Sequence, residues 1–168
     1  MDRYVVSILV NNVAGVLNRV ASMFRRRGFN IDTITVGATE TDGLSRMTIT
    51  FPSFEDKQQI MRQLEKMPDV YKVIELERDA SVSRELLLIK VKNCSEKRQD
   101  ILAIVDVFRA KIIDYASDTI TIEVTGESSK MNAIVELLRE FGIVEMCRTG
   151  VCALGRGTDN VLNASVIE

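Results

Sequence analysis

Residues 4–28 read YVVSILVNNVAGVLNRVASMFRRRG, and this stretch decides the fold of the N-terminal half of the chain. Its first seven residues are rich in Val, Ile and Leu, which is typical of a strand buried on both faces. From Val16 to Phe24, apolar residues recur at three- and four-residue steps, which predicts an amphipathic helix. Gly28 is placed to end this helix as its C-terminal cap. The stretch therefore predicts a strand, a loop at residues 11–15 and a helix.

The following residues complete a unit with the order β-α-β-β-α-β. A second strand at Ile31–Ala38 is joined to a third at Leu44–Phe51 through Asp42-Gly43, a strong hairpin signal. Apolar residues at helical spacing between Ile60 and Met67 predict a second helix, and Val70–Leu76 predicts a last strand.

The same order of elements occurs again after a polar segment at residues 78–85, which we interpret as a linker. Two such copies predict an α+β protein of two tandem ferredoxin-like modules, one at residues 1–77 and one at residues 86–168. Each module is small and leaves one sheet face uncovered, so we expect dimerisation to cover it. The predicted elements of the second copy are strands at 86–91, 111–115, 119–125 and 143–154, the last interrupted at Gly150, and helices at 98–108 and 128–141.

Composition excludes several functional classes. The formal net charge is −2, which does not favour a nucleic-acid or membrane partner, and no apolar run is long enough to cross a bilayer. The absence of histidine excludes Ser-His-Asp and Cys-His catalysis, and no metal site is expected. Without the layout of a signal peptide, we expect a cytoplasmic protein with reduced cysteines, Cys147 and Cys152 being packed in a strand.

The loop between the first strand and the first helix is the candidate binding site. A helix N-terminus offers free N–H groups to a carboxylate, Asn12 carries both a donor and an acceptor, and Gly15 lets a ligand approach the backbone. Asn30 is expected nearby, from the same chain or a neighbouring one, and Ile31 could line an apolar pocket. These features suit a free amino acid, although Asn-x-x-Gly before a helix is also an ordinary turn and cap.

Longer runs of sequence carry a resemblance to a known family. Residues 7–20, SILVNNVAGVLNRV, look like the opening of an ACT domain, and residues 26–37, RRGFNIDTITVG, strongly resemble acetolactate synthase regulatory subunits. Residues 108–114, FRAKIID, and residues 148–151, RTGV, with GRG at 155–157, resemble the C-terminal part of the same subunits. The resemblance covers residues 3–157, with minor departures at Ala110 and Tyr115 outside the loop.

The resemblance implies a regulatory subunit with no catalytic residues, metal or cofactor of its own. It implies a catalytic large subunit as partner, which holds thiamine diphosphate, Mg²⁺ and FAD and makes acetolactate in branched-chain amino acid biosynthesis. It further implies a homodimer through the ACT domains, with L-valine as the effector at their interface. The effector-site positions that match are Asn12, Gly15, Asn30 and Ile31; the motif leaves open whether leucine or isoleucine is preferred.

Three other functions share this fold class. An acylphosphatase-like enzyme would need an Arg in the first loop, and an RNA-binding module would need aromatic residues on its central strands. The first loop of this chain has no Arg, and its predicted central strands carry only the aromatic residues Tyr4 and Phe51. A free-standing amino-acid sensor without a synthase partner is the alternative that stays open. The basic run Arg25–Arg27 is either a solvated face or a contact with the large subunit. The pair Ser45-Arg46 on the third strand is either a similar contact or an exposed edge.

Overall fold

The computed structural model describes residues 3–53 and 55–158 of the 168-residue chain. These residues form two compact units, each with a four-stranded antiparallel ladder and two helices in the order β-α-β-β-α-β. The prediction of an α+β protein with two ferredoxin-like modules is confirmed. Residues 159–168, the end of the predicted second module and of a tail expected to be frayed, lie outside the described residues.

The first unit has the sheet order β2-β3-β1-β4. Five consecutive residues of β1 from Val6 to Val10 are buried, as the apolar run predicted. Side chains from alternate positions of the sheet pack with the apolar stripes of both helices into one core, in which Phe24 and Phe51 are the largest fully buried side chains. Its elements are β1 (Arg3–Asn11), α1 (Val16–Arg27), β2 (Thr33–Ala38), β3 (Leu44–Pro52), α2 (Lys57–Glu65) and β4 (Val70–Glu75).

The second unit repeats the arrangement with the order β6-β7-β5-β8 and a core of its own. Gly150 has a φ of 82° and separates β8 from a short β9, which pairs with β5. The predicted interruption of the last strand is therefore confirmed. The elements from β5 onward are β5 (Ser81–Lys92), α3 (Arg98–Val107), β6 (Lys111–Tyr115), β7 (Thr119–Gly126), α4 (Ser128–Leu138) and β8 (Ile143–Arg148). They are followed along the chain by β9 (Cys152–Gly155).

The segment at 78–85, expected as a linker, instead holds the first residues of β5. Two of its polar side chains, Ser81 and Glu85, are buried, and both are hydrogen-bonded. Ser81 donates to the Glu77 carbonyl at 2.6 Å, and the Glu85 carboxylate accepts hydrogen bonds from Arg148 and from the Ser128 hydroxyl. The polar composition therefore belongs to a strand whose buried polar groups have partners.

The boundary of the first unit also differs from the expected one. The compact unit comprises the described residues up to Val82 together with those from Val151 onward, so β9 belongs to it. Val151 and Ala153 pack with Leu76 on the sheet face opposite α1 and α2. Thr35 donates a hydrogen bond to the Val151 carbonyl. Part of the face expected to be covered by dimerisation is therefore covered by the chain itself.

Candidate effector site

The loop between β1 and α1 is held in place by the β2–β3 hairpin. The backbone N–H of Asn12 donates to the carbonyl of Gly43 at 2.8 Å, and the N–H of Val13 donates to Asn11 at 3.0 Å. Gly15 occupies the N-cap with a left-handed φ of 85°, a conformation that favours glycine. A Cβ at this position would lie 3.3 Å from Nη1 of Arg19, so any side chain here would also crowd its neighbour.

This loop leaves hydrogen-bonding groups free for a ligand. Because glycine has no side chain, no side-chain cap occupies the N–H groups of the first turn of α1. The Asn12 side chain is exposed and makes no hydrogen bond with the described residues. The N-terminal end of a helix favours an anion, and an Asn carbonyl accepts from an ammonium group. The loop can thus hold both charged groups of a free amino acid.

Asn30 and Ile31 lie at the opposite end of α1. The backbone N–H of Asn30 is 3.5 Å from Oε1 of Glu55, and its side-chain amide is 3.4 Å from Asp32. Ile31 is half-buried against the core. The 12-residue helix α1 separates the two ends by about 18 Å. A ligand of amino-acid size at Asn12 therefore cannot touch Asn30 of the same chain.

Three apolar side chains at the start of α1 and on β2 are exposed, and the sequence analysis did not single them out. Val13 in the loop is 49% exposed, Leu17 on the first turn of α1 is 45% exposed, and Val36 on β2 is 45% exposed. Val36 pairs across the strand with Met47, a core residue, so it lies on the helix-bearing face of the sheet. One of these residues could have been found from the sequence. Val13 is an apolar residue in a predicted loop, where the periodicity of the neighbouring strand and helix does not place it in the core.

The exposed-edge alternative for Ser45-Arg46 is wrong, and so is the packing expected for two cysteines. Ser45-Arg46 does not lie on an edge, because β3 is paired with β1 and β2; Ser45 is buried and Arg46 is half-buried. Cys147 and Cys152 do lie in strands, but both side chains are exposed. Alternation within a strand does not reveal which face remains open.

Among residues 3–53 and 55–158, no group of acidic and cysteine side chains is arranged to hold a metal ion. No helix in that part of the chain is both long and apolar enough to cross a membrane.

Comparisons with known proteins agree with this architecture. The family described as the small subunit of acetolactate synthase matches residues 84–157, and an ACT domain like that of the same small subunit matches residues 6–72. A probable acetolactate synthase small subunit from Methanothermobacter thermautotrophicus is 49% identical over 160 residues, covering 94% of this chain and 95% of that protein. The chain belongs to the acetolactate synthase small-subunit family.

Other members of the small-subunit family support the assignment. The acetolactate synthase small subunit of Bacillus subtilis is 44% identical over 156 residues, which are 92% of this chain and 91% of the relative. The crystal structure of the small subunit from Thermotoga maritima has a TM-score of 0.86 and 42% identity, covering 95% of this chain and all of that one. A small subunit of this family implies a catalytic partner enzyme. All four predicted site residues fall within the matched ACT domain.

Proposed function

We propose that this chain is the regulatory subunit of acetolactate synthase, and that it activates the catalytic large subunit and makes it sensitive to feedback inhibition by L-valine. Thiamine diphosphate, Mg²⁺ and FAD would belong to the large subunit, which performs the chemistry. The effector site proposed here combines Asn12 and Gly15 of one copy with Asn30 and Ile31 of a second copy.

The separation of these residues along α1 carries the proposal. Strand β2 is the edge of its sheet, so its outer backbone groups can pair with a second β2. In a two-fold antiparallel pairing, the start of β2 in one copy lies beside the end of β2 in the other. Asn30 precedes the start of β2, whereas the hairpin after β2 bonds to Asn12 through Gly43. The pairing therefore brings Asn30 of the second copy towards Asn12 of the first, at both ends of the interface.

The exposed apolar residues around the loop support the same arrangement. Val36 lies on the helix-bearing face of the edge strand β2, and Val13 and Leu17 are exposed at the start of α1. A second copy along this edge would cover them, and burial of apolar side chains favours association. They would also give the site the apolar wall that a branched side chain requires.

A ligand that bridges two copies can change the activity of a partner enzyme only through differential affinity. L-valine must bind one geometry of the dimer more tightly than another, and the large subunit must be activated by the other. A coupling free energy of about 1–3 kcal/mol is typical of such systems. The role proposed for valine is therefore to stabilise a dimer geometry with a weaker activating contact.

The first experiment is reconstitution. The chain is added to a purified acetolactate synthase large subunit, and acetolactate formation is measured with and without L-valine. We expect acetolactate to form faster with the chain present, and we expect this increase in rate to disappear when valine is added. Valine binding without any effect on the synthase, and no capture of the large subunit in a pull-down, would instead support a free-standing sensor.

The second experiment tests whether the site is shared. The variants Asn12→Ala and Asn30→Ala are each expected to lose calorimetric valine binding. In a mixed dimer of the two variants, one of the two sites has both asparagines, so unfolding and refolding the variants together should restore part of the binding capacity. If both residues served a site within one chain, mixing would restore nothing.

A further inference from the structure

A cavity lies on the face of the first unit's sheet that is opposite α1 and α2. Its volume is about 360 Å³, within the range of small-molecule binding sites. The floor is formed by β2 and β3, and residues Cys152–Leu154 of β9 line the other side. The loop of the candidate effector site lies on the other, helix-bearing side of the sheet. Val36 lines the cavity as well, but its side chain points to the helix-bearing side, because it is paired with the core residue Met47.

The strand register explains why the floor is open and polar. Thr35 is paired with Thr48, and Gly37 is paired with Arg46, and directly paired residues point to the same face. A Cβ built on Gly37 meets nothing within 4 Å, so the absence of a side chain there leaves space beside Arg46. The Thr35 hydroxyl donates to the Val151 carbonyl, so the Thr48 hydroxyl and the Arg46 guanidinium are the donors left to a ligand, in a space with an apolar wall at Ala153 and Leu154.

The charges at the cavity have no partners within the described residues. Arg46 is half-buried, yet its guanidinium forms no ion pair or hydrogen bond with residues 3–53 or 55–158. Glu40, on the turn of the same hairpin, is exposed and also lacks an ion pair there. Partial burial removes water molecules that would hydrate the guanidinium, and no carboxylate among the described residues takes their place. An anionic ligand would replace it, since Arg binds carboxylates through two parallel hydrogen bonds.

We propose that this cavity is a second ligand site, for a small aliphatic carboxylate. Arg46 holds the carboxylate, the Thr48 hydroxyl donates a further hydrogen bond to it, and the aliphatic part lies against Ala153 and Leu154. Glu40 is placed to accept from an ammonium group when the ligand is an α-amino acid. An α-amino acid and the corresponding 2-oxo acid share the carboxylate and the carbon skeleton, so both are candidate occupants.

Cys152 provides a readout at the site itself. It lines the cavity and is exposed, and the chain carries two further exposed cysteines, Cys94 and Cys147, that do not line it. The full chain is treated with a thiol-alkylating reagent, and the rate at each cysteine is measured by peptide mass spectrometry. The probes are L-valine and 3-methyl-2-oxobutanoate, which differ only in the ammonium and oxo groups. We expect millimolar ligand to slow alkylation at Cys152 and to leave the other two cysteines unchanged.

Variants connect the protection to the proposed contacts. Arg46→Gln should raise the concentration needed for half-protection by about tenfold or more, the loss typical of a hydrogen bond to a charged group. Glu40→Gln should weaken protection by L-valine and leave protection by the oxo acid unchanged. Gly37→Val should place a side chain in the cavity and remove protection by both ligands. Val is favoured in strands, so the thermal unfolding of this variant should be unchanged, which would indicate that the strand is intact.

The proposal is independent of the effector site on the other face of the sheet. Gly15→Asp should abolish valine inhibition of the reconstituted synthase and leave protection of Cys152 intact. Equal slowing at all three cysteines, or no slowing at Cys152 with either probe, would overturn the second site. Neither result would change the prediction for valine inhibition.

Discussion

Replacement of Arg148 by Met should destabilise the second unit more than any surface change of similar size. The Glu85 side chain is only 2% exposed, and Nε of Arg148 donates to its carboxylate at 3.0 Å. A further nitrogen of Arg148 donates to Asn132 on α4 at 2.8 Å, so the guanidinium joins β5, β8 and α4. Without it, the carboxylate keeps only the Ser128 hydroxyl as a side-chain partner among the described residues.

Leaving a buried charge without its partner costs about 3–5 kcal/mol. Because Arg148 is 26% exposed and water can reach part of the site, we expect a value near the lower end, about 3 kcal/mol. The double variant Glu85→Gln with Arg148→Met removes both charges, so its loss should be smaller than that of Arg148→Met alone. The matched control is Arg139→Met, which breaks an exposed pair with Glu136 worth about 0.5 kcal/mol or less.

Native-state hydrogen exchange read by mass spectrometry gives the opening free energy of buried amides in β7, and so reports on this unit directly. Two results would refute the reasoning. One is a decrease in opening free energy in Arg148→Met that is no larger than the decrease in the Arg139→Met control. The other is a double variant whose loss equals the sum of the single losses, because the two groups would then not interact.

Three other substitutions test separate features. Asn12→Ala should leave thermal unfolding unchanged, because the side chain is exposed and unbonded within the described residues, but should abolish valine inhibition in a reconstituted synthase assay. Ser7→Ala should raise the free energy of unfolding in urea by about 1 kcal/mol, since the Ser7 hydroxyl is buried without a partner among those residues. A decrease of about the same size in the free energy of unfolding would instead mean that the hydroxyl has a hydrogen-bond partner. The hydrogen bond from Lys57 to Glu75 at 2.6 Å raises the pKa of Lys57 above its usual 10.5, so this pair stabilises the fold below pH 10.5 and the effect is lost as the pH rises through the raised pKa. Glu75→Gln should therefore cost up to about 1 kcal/mol at neutral pH, and the deficit should disappear in strongly alkaline urea titrations.

Local patterns were enough to predict most of the elements. The apolar run of β1, the helical spacing after Val16 and the cap at Gly28 each depend on residues close together in sequence, and the structure agrees with all three. Glu85 was read as part of a linker because its partner Arg148 is 63 residues away, and polar residues resemble a loop when such a partner is not visible. The position of Asn30 relative to Asn12 was left undecided for a similar reason, since it depends on the length and direction of α1.

The cavity could not have been predicted from the sequence. Its floor comes from residues 35–48 and its other side from residues 152–154, and no periodicity relates two segments so far apart. The open space exists because Gly37 faces Arg46 across the strands, which is a matter of register. This register follows from the hairpin at Gly43. The position of β9 over the sheet instead depends on long-range packing, which local sequence patterns do not reveal.

The return of the chain to its first unit means that the N-terminal ACT unit is discontinuous in sequence. A fragment that stops at residue 77 would keep every strand of the first sheet, yet would present Val5, Ile74 and Leu76 to water as a bare apolar strip. Such a fragment would tend to self-associate through a surface that the whole protein does not expose. Effector binding by an isolated N-terminal half would then be measured on a self-associated fragment. Residues 151–158 would have to be added as a peptide, or fused to the fragment through a short linker, to avoid this.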